Sequence, residues 1–61
     1  MTVFLVAFMY GNLETARYDY VQAPNRDAAL NWAQDRFTDP NWTVTSCRPS
    51  VEPDDEEVYQ A

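Results

Sequence analysis

Among the side chains able to do chemistry, this sequence holds ten carboxylates, four guanidinium groups, one thiol and no imidazole. Without histidine, a Cys–His or Ser–His nucleophile pair cannot be built. Cys47 is the single cysteine, so no intrachain disulfide can form, and a structural zinc ion would have too few good ligands. Gly11 is the single glycine, which excludes a glycine-rich phosphate loop. Carboxylates alone can move protons, but only when held in a dry, fixed geometry. Here they are expected on the wet face of a helix and in a flexible tail. No enzyme activity and no cofactor are expected. What is left is a binding protein whose specificity comes from surface shape and charge.

The charge is distributed unevenly. The basic residues are Arg17, Arg26, Arg36 and Arg48, and five acids (Glu14, Asp19, Asp27, Asp35 and Asp39) precede residue 52. The other five, Glu52, Asp54, Asp55, Glu56 and Glu57, crowd the last ten residues. The body is close to neutral, and the tail supplies most of the net charge of −6. Such a chain repels phosphates, so direct nucleic-acid binding is not expected, whereas a positive partner surface is favoured.

These residues need a small scaffold to position them. Sixty-one residues form one core, hiding about 60% of the unfolded chain's surface. Aromatic residues make up 15% of the chain, a large apolar area for its size. Residues 3–10, VFLVAFMY, read as a strand apolar on both faces, hence central in a sheet. They are too few to span a membrane and lack the basic start of a signal peptide. Gly11-Asn12 predicts a tight turn. Residues 14–22 alternate as a return strand, with Tyr18 and Tyr20 on one side and Arg17, Asp19 and Val21 on the other. Which set faces inward is open, and a bulge would reconcile them.

Pro24-Asn25 stops that strand, and Asn25 is suited to cap a helix with Asp27 in its first turn. From Arg26 to Phe37 the period becomes helical. Ala29, Leu30, Ala33 and Phe37 share an apolar stripe, Trp32 flanks it, and Asp27, Asn31, Gln34 and Asp35 face solvent. The helix is expected to end near Thr38, because Pro40 disfavours helical geometry at Asp39. Residues 42–48, WTVTSCR, are rich in β-branched side chains and predict a third strand. In it Cys47 reads as a small hydrophobe. Strand parity puts Arg48 on the same side as Trp42 and Val44, at the strand's far end. Pro49 and Pro53 end the pairing. The expected fold is α+β: β-β-α-β, a three-stranded antiparallel sheet with one helix packed on one face. Residues 1–53 form its single domain, and 54–61 an acidic flexible tail. The other face of the sheet, carrying aromatics, is left uncovered as an expected partner surface.

From Ala23 to Pro53 the sequence resembles the gene-two inhibitors with which short-tailed bacteriophages shut down the RNA polymerase of their bacterial host. The residues that carry the resemblance are Ala23, Asp27, Ala29, Leu30, Ala33 and Phe37. They continue, at the same helix-to-strand spacing, with Trp42, Val44, Thr45, Arg48, Pro49, Val51 and Pro53. The first hairpin matches only in kind, and the acidic end beyond Pro53 lies outside the resemblance. The resemblance implies the fold just described; the single thiol suits a reduced cytoplasm, here that of the host bacterium, and a monomer is expected. It implies docking on the β′ subunit jaw at the edge of the downstream DNA channel. There the family acts with the primary sigma factor's acidic N-terminal region to block open promoter complex formation, with no membrane or direct nucleic-acid contact. Two arginines of the last strand carry that contact in the family; here one is Arg48 and the other position is Ser46.

Each candidate also has a plainer account. Arg48 by itself would be a solvated strand-end arginine; the resemblance makes it the contact residue. Trp42 is expected in the core. Asp27 and Asp35 suit an ordinary wet helix face, or an acidic strip towards a basic channel lining. Asp54 and Asp55 belong to a solubilising end, or to a tail lying on positively charged channel surface within the ~8 Å reach of surface attraction at physiological salt. Two other functions fit the composition. One is an acidic DNA mimic that occupies the DNA site of a host defence or repair enzyme, although mimicry needs acids on an ordered surface. The other is an assembly protein that pairs through the uncovered sheet face.

Overall fold

The computed structural model describes residues 1–11 and 15–61. Four strands and one helix follow the chain as β1 (Thr2–Tyr10), β2 (Thr15–Ala23), α1 (Arg26–Gln34), β3 (Trp42–Ser50) and β4 (Val58–Gln60). The fold is α+β, and its sheet has four strands in the order β3-β1-β2-β4. β1 pairs antiparallel with both β2 and β3, as the sequence predicts, but β4 lies parallel to β2. The sheet is therefore mixed and four-stranded rather than antiparallel and three-stranded. Its extra strand comes from the segment 54–61 that the sequence assigns to a tail.

Gly11 takes φ 62°, the left-handed region glycine enters without steric cost, and its N–H donates to the Asn41 carbonyl at 3.0 Å. Asn12, the other half of the expected turn, and Glu14, the expected start of the return strand, lie outside the described residues. β1 and β2 then pair without a register shift from Tyr10↔Thr15 to Thr2↔Ala23. No bulge reconciles the two sides of β2. Instead Asp19, Val21 and Ala23 face the helix and are buried, while Tyr18 and Tyr20 face away.

Asn25 caps α1 as its residue type suggests, its Oδ1 accepting from the Ala28 N–H at 2.9 Å. The helix is shorter than its apolar stripe. The Asp35 N–H is shared between the Asn31 and Trp32 carbonyls, and the Arg36 N–H bonds to Ala33 across one tighter turn. Phe37 therefore leaves the helix. It meets Phe8 edge-on at 5.1 Å and stacks on Trp42 at 4.7 Å, closing the end of the core. Trp42 is half-buried here, as the sequence suggests.

Phe4, Val6 and Phe8 of β1 meet Val21, Ala23, Cys47 and the two helix alanines, Ala29 and Ala33, in one core. The small alanines let the helix lie close to the sheet. Phe8, Val6 and Val21 are its largest fully buried side chains, each contributing roughly 1.5–3 kcal/mol. Val3 points away from the helix yet is only 7% exposed. It pairs with Ser50, where the chain leaves β3, and Pro53 just beyond is half-buried. Along the outer face Val3 is buried, whereas Leu5, Ala7, Met9 and Tyr20 are partly exposed and Ala16, Tyr18, Ser46 and Arg48 are exposed.

Candidate partner-binding surface

β3 is an edge strand paired only with β1, and its register against β1 shifts between Ala7 and Phe8. Ala7 pairs with Ser46 and Phe8 with Val44, so Thr45 is one residue too many. Its hydroxyl donates to the Ala7 carbonyl at 3.2 Å, giving that carbonyl a partner at the irregular step. A single inserted residue reverses the facing of everything beyond it. Trp42 and Val44 face the helix, and so does Cys47 after the bulge, whereas Ser46 and Arg48 face outward beside Ala7 and Leu5. The expectation that Arg48 shares a side with Trp42 and Val44 is thus overturned, because strict alternation holds only without an insertion. Pairing also continues past Pro49 to Ser50, since on an edge strand the missing N–H can face solvent.

Ser46 and Arg48 are both exposed and, two residues apart on one face, roughly 7 Å apart along the strand. Arg48 has no carboxylate within ion-pair distance among the described residues. The four candidate acids lie elsewhere. Asp27 is exposed in the first turn of α1 and Asp35 at its C-cap, both on the helix side of the sheet. Asp54 and Asp55 are exposed in the bend between β3 and β4. The structure brings Ser46 and Arg48 together and keeps Asp27 and Asp35 across the sheet from them.

Another cluster of charged side chains escaped the sequence expectations. Asp19 is 7% exposed inside the helix-side face. Arg17 Nη2 donates to its Oδ1 at 2.9 Å, and Arg36 Nε lies 3.4 Å from its Oδ2. That second contact is an ion pair without a formed hydrogen bond, and both of its atoms are shut from solvent with no other partner among the described residues. The two guanidinium groups also sit over aromatic rings. Arg17 lies 5.2 Å from the Phe37 ring centre, and Arg36 lies 4.7 Å from Tyr59, whose hydroxyl accepts from Arg36 Nη2 at 3.2 Å. Tyr59 in turn packs on Trp32 with ring centres 5.5 Å apart. The cluster therefore ties β2, the end of the helix and β4 to one another. Its one local signal is Arg17 and Asp19 at strand spacing on one face; Tyr59 stands among acids that disguise it.

Burial raises the Cys47 thiol pKa, against a smaller opposing pull from Arg26, whose Nε donates to the Cys47 carbonyl at 2.9 Å. The thiol is thus a packed side chain held in its neutral form rather than a nucleophile. Asp39 is shifted the other way, first by the backbone N–H of Asn41 and then by the Tyr10 hydroxyl. Among the described residues no group of three or more metal-ligating side chains comes together. No protein-family model, curated protein or solved structure matches this chain.

Proposed function

We propose that the chain is a non-enzymatic inhibitor of bacterial RNA polymerase that binds the β′ jaw at the downstream DNA channel and blocks open promoter complex formation. The observation that carries this reading is the setting of Arg48. It is exposed, unpaired among the described residues, and set on an edge strand within the segment that resembles the phage inhibitors. A guanidinium with no carboxylate of its own is ready to take one from a partner, in a two-pronged bond that lysine cannot copy. Ser46 beside it offers a hydroxyl where the family has a second arginine, so Arg48 bears more of the contact here. The inhibitor acts as a monomer in the host bacterial cytoplasm, together with the sigma factor's acidic N-terminal region.

In vitro transcription by a bacterial holoenzyme tests this directly. The wild-type protein should suppress promoter-dependent transcripts. Arg48→Glu should raise the concentration needed by about 30-fold or more, the cost of losing an interface anchor worth about 2 kcal/mol. The variant's circular dichroism should be unchanged, because Arg48 is exposed. Full inhibition by the folded variant would remove Arg48 from the contact.

The DNA-mimic reading gains one support. The acidic run Asp54–Glu57 is tethered at both ends, by β3 and by β4, which answers part of the need for an ordered array. If that reading held, replacing Asp54, Asp55, Glu56 and Glu57 by their amides would abolish activity while Arg48→Glu left it intact.

A further inference from the structure

The outer sheet face differs from the rest of this acidic chain. No strand position on it carries a carboxylate among the described residues, and Arg48 is its one charge. In the register, Arg48, Leu5 and Tyr20 form one row across the sheet, and Ser46, Ala7 and Tyr18 form the next. At ~4.8 Å per strand, Arg48 and Tyr20 stand about 10 Å apart at the backbone. Tyr18 is 53% exposed and meets Tyr20 edge-on at 5.9 Å. Beside it lies a dent of about 200 Å³ whose walls include Ala7, Met9, Ala16, Arg17, Tyr18 and Thr45, the Arg17 guanidinium being turned to the helix side, over Phe37 and onto Asp19. The two alanines make the depression, and the tyrosine and methionine wall it.

Tyrosine, methionine and arginine gathered together, with aspartate and glutamate absent from the described strand positions of this face, is the composition of an interface centre rather than of ordinary surface. The charge pattern selects the occupant. A phosphate-bearing ligand would find a single cation here, and a basic surface would find no acid. A protein surface carrying a carboxylate beside an apolar side chain matches both the unpaired guanidinium and the dent.

We infer that the polymerase contact extends beyond β3 across the open sheet face. Arg48 takes a carboxylate of the polymerase, and the Tyr18 dent takes a neighbouring apolar side chain of that same surface. This rests on the polymerase reading and enlarges its footprint to β1 and β2. The affinity of fluorescently labelled protein for purified bacterial RNA polymerase distinguishes the two. Tyr18→Glu and Ala16→Glu each place a carboxylate at the dent from an exposed position, so the fold should hold by circular dichroism. Each should weaken binding at least 10-fold, whereas Tyr18→Phe should bind within about twofold of the wild type. Asp27→Asn on the far side should also be silent. Wild-type protein that fails to bind overturns the polymerase reading and the footprint together. Binding that is lost with Arg48→Glu but kept by both dent variants overturns the footprint alone.

Discussion

Asp19 shows how a residue's sequence neighbourhood can mislead. A charged residue alternating with tyrosines is ordinarily the outward one, yet here the tyrosines face out and the carboxylate faces the core. What makes this tolerable is the pair of guanidinium groups, each lying over an aromatic ring that shields part of it from water. Arg17 is 42% exposed and can turn to water, but Arg36 Nε is shut from solvent, so removing the carboxylate leaves that buried nitrogen uncompensated. Asp19→Ala should therefore destabilise the protein by about 3 kcal/mol in urea unfolding, far above an exposed-acid substitution such as Asp27→Ala. A loss below about 1 kcal/mol would mean that the arginines find other partners.

At the scale of elements, the hydrophobic period marked three strands and a helix, because β1 and β3 are β-branched and α1 repeats its alanines at helical spacing. It could not mark the bulge. Period-two alternation in WTVTSCR is equally good with or without an extra residue, and only the pairing with Ala7 and Phe8 shows that Thr45 is the insertion. The side of the sheet on which the candidate residues Ser46 and Arg48 lie was thus not legible. β4 was hidden for another reason. Three residues in an acid-rich stretch carry little strand signal, and what holds them is Tyr59 against Trp32 and Arg36, a contact made only once the fold exists. Tyr59→Ala should lower stability by about 2 kcal/mol, less than for a fully buried aromatic, because Tyr59 is half-buried. It should also speed amide exchange at residues 58–61. Unchanged exchange there would show that main-chain pairing alone retains β4. The same anchoring means that deleting residues 54–61 would weaken the fold as well as remove charge, so amide replacement of the four acids is the cleaner probe of the acidic run.

Across the whole molecule, charge is sorted by face. The helix side carries Asp27 and Asp35 and encloses the Arg–Asp–Arg cluster, the β3–β4 connection carries the acidic run, and the strands of the open face carry Arg48 alone. Under the proposed function, a net charge of −6 would keep copies apart and speed encounter with a positive channel lining, while the open face would supply the contact that holds. Hydrogen–deuterium exchange of the protein alone and in complex with bacterial RNA polymerase tests this arrangement most directly. Protection on binding should appear in residues 42–50 and in the β1 and β2 segments behind them, with residues 26–34 unchanged. Protection confined to the helix, or no change in residues 42–50 at saturating polymerase, would contradict it.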